Sequence, residues 1–362
     1  MNSKERVLVA LSCQQPDKVP IVELYINEPN IVSLAERLVP EAVKVEATKD
    51  RFGEERWEIL DLYCLVVKEL GLDATCSNFS IGLKQISADR GRDKYGTIYY
   101  LSEHGEPFPL EGPIKEPADL KGFDMASKLE PDDFARVRYV IEQAGPSKAH
   151  FVCITDPFKV SWRRRGGMQN LLMDYLLNPQ FVHDLARMAT DFDLAALDLA
   201  VETGADVIIV PGDLAGEQTT IMSPQHYREY IKPYHKELVD YAHEKGVKIV
   251  KHSDGNIWPI LDDLLEVGFD GIHPIQPQCM DIAEVKEYLT GRACILGNID
   301  CRYLLPFGTE EEVEETVRKT IEKAAPGGGY IISSSNSIHP GCKAENYIAM
   351  VRAAHKYGRY DG

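Results

Sequence analysis

The sequence predicts an α/β protein with the architecture of a (β/α)8 TIM barrel. Short runs of apolar, β-branched residues alternate along the chain with segments whose apolar residues recur three and four positions apart. Eight strands are counted in this way, and eight βα units close a parallel barrel. The alternative is an open doubly wound sheet, but its fingerprint G-x-G-x-x-G is missing after the first strand.

The predicted elements follow from these two spacings, with turn residues between them. The strands cover residues 19–26, 72–79, 151–156, 206–213, 248–252, 271–277, 293–300 and 330–336. The helical patterns cover residues 3–13, 29–47, 54–70, 131–143, 179–202, 224–245, 259–267, 282–289, 310–324 and 345–357. Since strands and helical patterns alternate, the connections predict parallel βαβ units.

Residues 84–115 interrupt this alternation after the second strand. The run Gly96-Thr-Ile-Tyr-Tyr-Leu favours a strand, and the glycine and proline residues that follow favour turns. This predicts a β-hairpin excursion that either covers the opening of a site or builds an interface. Because no linker-like stretch divides the chain, we predict a single domain over residues 1–362.

Composition and charge narrow the class of function. The content of 44% hydrophobic and 27% charged residues is ordinary for a soluble globular protein. The net charge of −17 argues against nucleic acid, since phosphate binding needs a basic surface. No apolar run is long enough to span a bilayer, and the amino terminus lacks an apolar signal segment. We therefore expect a cytoplasmic protein with no membrane partner, whose scattered cysteines are mostly free thiols.

Polar side chains collect at the carboxyl ends of the predicted strands, which all face one opening in a barrel. They are Glu23, Tyr25, Asn78, Asp156, Asp213, Glu217, His252, Asp254, His273, Gln276, Asn298, Asp300 and Asn336. The set includes no Ser-His-Asp spacing and no lysine placed for a Schiff base, so covalent carbonyl chemistry is unsupported. Imidazole and carboxylate groups fit either a metal ion or a polar ligand.

Two positions in this set are singled out by their surroundings. His252 ends the fifth strand, and Asp254 follows just before the turn at Gly255. This arrangement favours a functional role for His252 over a structural role as a core histidine hydrogen-bonded to a neighbour. Glu23 interrupts the otherwise apolar first strand, where burying a carboxylate is costly unless it is hydrogen-bonded or bound to a cation. We interpret Glu23 as inward-pointing and functional, with a salt-bridged surface position as the alternative.

Over nearly its whole length the chain resembles the uroporphyrinogen decarboxylase superfamily, whose fold is a (β/α)8 barrel. The resemblance rests on motifs at residues 248–263, 268–271, 274–277, 297–300, 305–309, 327–330 and 345–350. Members divide into decarboxylases and corrinoid-dependent methyltransferases. The decarboxylases carry Arg-Gln-Ala-Gly-Arg-Tyr after the first strand to hold the porphyrinogen carboxylates. This chain has Glu23-Leu-Tyr-Ile-Asn-Glu-Pro there, which is acidic where arginines are required.

The resemblance therefore implies a methyltransferase that works with the cobalt of a separate corrinoid (cobalamin) protein. Members that methylate thiols bind zinc through His-x-Cys at the fifth strand and a further Cys near the eighth. This chain keeps His252 but has Asp254 at the second position and Asn336 near the third, with Cys342 six residues beyond. We expect instead a harder metal site formed by His252, Glu217 and Asp254, with zinc as the candidate ion.

We predict that a methyl group moves from a small methylated donor, with an aryl methyl ether favoured, to the partner's corrinoid. His252, Asp254 and Glu23 are the predicted catalytic residues. The predicted substrate contacts are Tyr25, Asp156, Asp213, Gln276, Asn298 and Asn336. The alternatives are a methylcobamide:thiol methyltransferase, a uroporphyrinogen decarboxylase and a non-catalytic corrinoid-binding barrel. The sequence identifies neither the donor nor the direction of transfer, and it leaves a homodimer open.

Overall fold

The computed structural model describes residues 1–44, 56–101 and 107–360. In chain order the strands are β1 (Ala74–Asn78), β2 (Lys84–Ser87), β3 (Arg90–Arg92), β4 (Ile98–Tyr100), β5 (Phe108–Glu111), β6 (Ala149–Cys153), β7 (Val207–Pro211), β8 (Lys248–His252), β9 (Gly271–His273), β10 (Cys294–Leu296) and β11 (Tyr330–Ile331). The helices are α1 (Ser3–Leu11), α2 (Glu28–Leu38), α3 (Trp57–Glu69), α4 (Ala135–Ala144), α5 (Pro157–Arg164), α6 (Met168–Leu177), α7 (Pro179–Thr203), α8 (Pro224–Tyr230), α9 (Lys232–Glu244), α10 (Leu261–Val267), α11 (Ile282–Leu289), α12 (Leu304–Phe307), α13 (Glu310–Ala324) and α14 (Ala344–Tyr357).

A curled parallel sheet of seven strands forms the centre of the molecule, in the order β1-β6-β7-β8-β9-β10-β11. Successive strands are joined by helical segments, as the alternation in the sequence predicts. The prediction of an α/β fold with parallel βαβ units is therefore confirmed. The predicted helical patterns at 29–47 and 54–70 fall partly outside the described residues.

The predicted first strand, residues 19–26, differs from the other seven because it makes only isolated bridges. Ile21 pairs with Ile332 beyond β11, and Ile26 pairs with Ile338. On its other side the carbonyl of Ile21 accepts a hydrogen bond from the amide of Asp73, just before β1, at 2.8 Å. Pro20 has no N–H to donate, which limits the ladder at this end. The segment thus contacts both edges of the seven-stranded sheet.

Two buried clusters lie on the two faces of the sheet. The inner one combines alternate residues of neighbouring strands with one face of α1; its members are Val7, Ala10, Leu11, Val22, Leu24, Ala74, Cys76, Ala149, Phe151, Val207, Ile209, Val250, Cys294, Leu296 and Ile331. Such alternation is expected because successive strand residues point to opposite faces. The larger outer cluster packs the surrounding helices against the sheet. Curling of the sheet therefore encloses the inner cluster, and α1 covers one end of it.

The residues predicted as a β-hairpin excursion form a four-stranded antiparallel sheet, in the order β2-β3-β4-β5. Buried Asp93 and Arg164 join this small sheet to α5 through an ion pair of 2.6 Å. Gly112 packs so closely against α5 that a Cβ atom there would lie 2.1 Å from the carbonyl oxygen of Arg164. The excursion is therefore larger than a hairpin and is firmly attached to the main sheet's helices.

One predicted helix is interrupted in the structure. The pattern at residues 224–245 forms α8 and α9, which meet at Ile231 and Lys232. Pro233 lies in the first turn of α9, where its missing N–H costs nothing, whereas inside a continuous helix it would remove a hydrogen bond. Among the described residues no helix is both long and apolar enough to cross a membrane.

Candidate metal and active site

His252, Asp213 and Asp254 meet at the carboxyl ends of β7 and β8. Pro211 pairs with His252 across the two strands, so both following loops leave the sheet side by side. The Nε2 atom of His252 lies 3.7 Å from Oδ1 of Asp213 and 3.9 Å from Oδ1 of Asp254. One ligand atom from each of the three residues lies within 4.8 Å of the others. Within the described part of the chain, no other group of three His, Cys, Asp or Glu residues has this spacing.

The loop after β8 orients the two carboxylates. The backbone N–H of Asp254 donates to Oδ1 of Asp213 at 3.1 Å. The side-chain amide of Asn336, after β11, donates to Oδ2 of Asp254 at 2.5 Å. Gly255 has a φ of +86°, and a Cβ atom there would lie 2.5 Å from the carbonyl oxygen of Gly216. Its N–H donates to Oε1 of Gln276 at 2.8 Å, so the turn that follows Asp254 is fixed on two sides.

His273 supports His252 from the neighbouring strand. The two residues are directly paired in the register of β8 and β9, and their Nδ1 atoms lie 2.7 Å apart. His273 is fully buried, whereas His252 keeps 17% of its side chain exposed. Burial, together with the nearby His252, lowers the pKa of His273 well below its ordinary value. His273 is therefore a neutral imidazole in contact with His252.

The donor set of this group fits a zinc ion. Separations of 3.7 and 3.9 Å are too long for hydrogen bonds between His252 and the carboxylates. They are close to the spacing of about 3.4 Å between ligand atoms in a tetrahedral zinc site, which follows from bonds of about 2.0–2.1 Å. One imidazole and two carboxylates are ligands that zinc accepts, and three protein ligands leave a fourth position open for a small molecule.

The structure changes which carboxylate completes the predicted metal site. Glu217, predicted as a ligand, instead accepts a hydrogen bond of 2.6 Å from Nη1 of Arg302 and lies outside the group. Asp213, predicted as a substrate contact, takes its place. Both residues follow β7 in the same loop, and the path of that loop decides which one faces His252.

Glu23 does not join His252, contrary to the prediction that it points inward. Its neighbours Val22 and Leu24 belong to the inner cluster, whereas Ile21 belongs to the outer one, so Glu23 faces outward toward the helices. There the hydroxyl and the backbone N–H of Ser334 donate to its two oxygens at 2.7 and 3.2 Å. Burial raises the pKa of Glu23 to about 8. The hydrogen bonds from Ser334 favour the charged form and lower the pKa, but burial has the larger effect.

Asp156 lies beneath the site rather than in contact with a substrate. It is fully buried, and its Oδ2 atom accepts hydrogen bonds of 2.8 Å from both Lys251 and His235. Its other oxygen accepts from the first backbone N–H groups of α5. Although burial opposes charge on this carboxyl, Lys251 and His235 hold the pKa of Asp156 well below its ordinary value. These contacts make Asp156 part of the structural support of β8.

The other predicted substrate contacts either hold neighbouring loops in place or lie exposed at the surface. Gln276 and Asn336 orient the loop and carboxylate of Asp254, as described above. Asn298 is 6% exposed, and its side-chain amide donates to the carbonyl of Ile275 at 2.7 Å. Tyr25 is 48% exposed, beyond the end of the segment 19–26. Of the predicted substrate contacts, Asp213 and Tyr25 are thus the two that present exposed side chains.

The cysteines are free thiols, as predicted, and none belongs to the His252 group. Cys342 is buried, and its thiol donates to the carbonyl of Cys301 at 3.6 Å. Burial raises the pKa of Cys342 to about 12, so the thiolate that zinc requires is disfavoured. The structure therefore places no thiolate ligand beside His252 within the described residues.

Comparison with known proteins gives results of three kinds. Residues 92–357 match the family model described as Uroporphyrinogen decarboxylase (URO-D). The chain is 24% identical over 365 residues to the methylcobamide:CoM methyltransferase MtaA of Methanosarcina barkeri, with 98% of each chain covered. It is also 24% identical over 286 residues to the uroporphyrinogen decarboxylase of Thioalkalivibrio sulfidiphilus, which covers 74% of this chain and 76% of that one. A methyltransferase from Methanosarcina mazei of known structure has the same fold, with a TM-score of 0.76, 22% identity and 99% of both chains covered.

Proposed function

The chain belongs to the uroporphyrinogen decarboxylase family, and on that premise we propose that it is a corrinoid-dependent methyltransferase. It transfers a methyl group from a small methylated donor to the cobalt of a corrinoid carried by a partner protein. The full-length similarity to a methylcobamide:CoM methyltransferase supports methyl transfer as the type of reaction. The observation that carries the proposal is the group formed by His252, Asp213 and Asp254 at the ends of adjacent parallel strands.

The charge around this group argues against decarboxylation of a tetrapyrrole. Asp213, Asp254 and Glu217 follow β7 and β8, and Glu217 is paired with Arg302. A porphyrinogen substrate carries several carboxylates, which these side chains would repel. A neutral donor has no such conflict. Acidic residues also suit a bound metal cation.

We propose an aryl methyl ether as the donor class because the ligand set is hard. Zinc bound by His252, Asp213 and Asp254 would act as a Lewis acid toward the heteroatom that loses its methyl group. The imidazole and the two carboxylates would hold the ion and leave a position for an ether oxygen. Sulfur donors are more often matched by thiolate-rich sites, which this chain lacks beside His252 within its described residues.

The transfer balances without any redox partner. The reduced corrinoid, cob(I)alamin, supplies the electron pair of the new cobalt–carbon bond, and the methyl–oxygen bond breaks. Its electron pair stays on the departing oxygen, which is a poor leaving group unless it is protonated or bound to a Lewis acid. Asn336 and the N–H of Asp254 fix the carboxylates, so the site is organised before the donor binds.

The corrinoid protein must approach the same end of the sheet. Exposed aromatic side chains lie beyond the strand ends there, at Tyr25, Tyr303 and Phe307, which are 48%, 52% and 77% exposed. Aromatic residues are enriched in protein interfaces. We propose that these side chains contact the partner.

We also infer that the segment 19–26 closes the seven-stranded sheet into a (β/α)8 barrel within one domain, since it bonds to both sheet edges.

The test is methyl transfer from a panel of aryl methyl ethers to free cob(I)alamin, followed by its absorbance under reducing conditions. His252→Ala is expected to lower the rate by about 100-fold or more, the usual contribution of a catalytic group. The matched control is His243→Ala, since His243 pairs with Asp270 on the surface. A loss of less than about tenfold for His252→Ala would remove that residue from the chemistry.

A second candidate is a methylcobamide:thiol methyltransferase, because the methylcobamide:CoM methyltransferase MtaA of Methanosarcina barkeri aligns with 98% of this chain. Its test is the reverse half-reaction, demethylation of methylcobalamin by small thiols. Transfer to thiols with no activity on ethers would favour this candidate and overturn the ether proposal.

A further inference from the structure

Two thiols meet on the inner face of the curled sheet, outside the His252 group. The Sγ atoms of Cys76 on β1 and Cys153 on β6 lie 3.7 Å apart. Cys76 is buried in the inner cluster, and Cys153 packs against that cluster while staying only partly buried. All eight cysteines lie in the described part of the chain, and within it this is the pair of thiols in contact with each other.

The register of the two strands keeps these thiols from closing a disulfide bond. Cys76 is paired with Phe151, so Cys153 lies two residues further along β6. With a strand spacing of about 4.8 Å and a rise of about 3.3 Å per residue, the two α carbons are about 8 Å apart. A disulfide needs α carbons closer than about 7 Å unless the backbone moves. The hydroxyl of Tyr63 opposes such movement, because it accepts a hydrogen bond of 2.7 Å from the N–H of Cys76 and donates one of 3.1 Å to its carbonyl.

The same separation suits a cation shared by the two sulfur atoms. Bonds of about 2.3 Å to a tetrahedral ion place two thiolates about 3.8 Å apart. The inner cluster around Cys76 consists of apolar side chains and thiols, so a net charge there would be costly. Two thiolates cancel the charge of a divalent ion, which avoids that cost. Each thiol gives its proton to solvent as its sulfur binds, so one ion displaces two protons.

We propose that Cys76 and Cys153 form a second metal site, which binds a soft divalent cation through two thiolates on the inner face of the sheet. Soft ions prefer sulfur ligands, whereas the imidazole and carboxylates of the His252 group suit harder ions. Zn²⁺ accepts both kinds of ligand, but it has three protein ligands at the His252 group and two at the thiol pair. The His252 group therefore binds the first equivalent of Zn²⁺.

The thiol pair lies deeper in the curled sheet than the His252 group. Cys153 is the last residue of β6 and pairs with Ile209, which in turn pairs with Val250. His252 comes two residues after Val250, so the pair lies about 7 Å below His252 along the strands. The two groups consist of different residues. The second site therefore does not depend on the proposed function, and each site can be tested separately.

Cadmium titration of the full chain, reduced and stripped of metal, tests the second site. Cd²⁺ bound by thiolates gives an ultraviolet charge-transfer band, which imidazole and carboxylate ligands do not give. We expect this band to saturate at one Cd²⁺ per chain, with release of about two protons per ion near pH 7. Cys153→Ser should abolish the band. The matched control Cys64→Ser, which removes another partly buried thiol, should retain it.

Absence of the band at saturating Cd²⁺, its persistence in Cys153→Ser, or its loss in Cys64→Ser would overturn the inference. If Cys153→Ser failed to fold, as a circular dichroism melt would reveal, alkylation of the wild type would decide. Cd²⁺ should protect Cys153 from iodoacetamide, as mass spectrometry of its peptide would show, and unchanged alkylation would reject the site.

His252→Ala separates this inference from the proposed function. The variant should lose methyl transfer but keep the cadmium–thiolate band, since His252 is not a ligand of the thiol pair. A band lost in His252→Ala would overturn the second site as an independent one. If the wild-type chain transferred no methyl groups but developed the band, the proposed function alone would be overturned.

Discussion

The buried carboxyl of Glu23 makes the stability of the protein depend on pH in a direction that can be worked out. Its pKa is raised to about 8 in the folded state, because burial disfavours the charged form. In the unfolded chain the group titrates at about 4.3. Between these values the folded protein binds a proton that the unfolded chain has released. The free energy of unfolding therefore falls as pH rises from about 4.3 to about 8.

The magnitude follows from the linkage relation. One proton of difference changes the free energy of unfolding by about 1.4 kcal/mol per pH unit. Glu23 would thus cost the wild type about 4 kcal/mol between about pH 5 and pH 8. Glu23→Gln replaces the titrating carboxyl with an amide. The free energy of unfolding of this variant should therefore not show the part of the decrease with pH that Glu23 causes. The amide has one acceptor oxygen for the two hydrogen bonds of Ser334, which lowers stability by about 1–2 kcal/mol at every pH.

The assay is urea unfolding of both proteins at about pH 5, 6.5 and 8, in which the difference between them is compared across pH. The wild type should exceed Glu23→Gln at the lowest pH and fall below it at the highest. Glu287→Gln is the control, because Glu287 is an exposed residue of α11. Equal pH slopes for wild type and Glu23→Gln would refute the outward, buried placement of this carboxyl.

Three further outcomes are expected from contacts described above. Lys251→Met leaves the buried carboxylate of Asp156 without its main counter-charge, so it should lower the free energy of unfolding by about 3–5 kcal/mol in chemical denaturation. Gly255→Ala forces a side chain into a left-handed turn that faces Gly216, so it should cost about 1–3 kcal/mol in the same assay and weaken Zn²⁺ binding. Glu217→Gln should leave the Zn²⁺ affinity within about threefold of wild type, because Glu217 pairs with Arg302 and lies outside the ligand group. Zinc lost in Glu217→Gln would contradict the assignment of Asp213.

The local part of the site was predictable because its signals lie close together in the sequence. An apolar strand, a histidine at its end, a carboxylate two residues later and a glycine turn predicted that His252 and Asp254 would face one opening. The rule that parallel strands end on one side then brought Asp213 to the same place. The structure brings these three residues together at one end of the sheet, as this reasoning predicts, and adds the distances between them.

The errors concern side chains whose environment depends on distant residues. Asp156 is held by Lys251 and His235, which lie 95 and 79 positions further along the chain. Burial of an ion pair of this kind leaves no local pattern in the sequence. Glu23 was assigned to the wrong face because an unbroken apolar run does not reveal which alternate residues point inward. Its partner Ser334 lies 311 positions away.

The role of His273 was missed for a similar reason. Its position at a strand end was evident, but its value depends on the register between β8 and β9, which sets it opposite His252. A second histidine in the strand that follows His252 was the available signal. Register itself is fixed by the packing of both sheet faces, so the sequence alone could not decide it.

The most direct test of the central claim is the zinc stoichiometry and affinity of the wild-type chain beside those of Asp213→Asn and Asp254→Asn. We expect one Zn²⁺ per chain and a loss of affinity of about 100-fold or more in each variant, with methyl transfer to cob(I)alamin falling in parallel. If both variants bound zinc as the wild type does, or if the wild type transferred methyl groups at full rate after complete removal of metal, the account of this site would be contradicted.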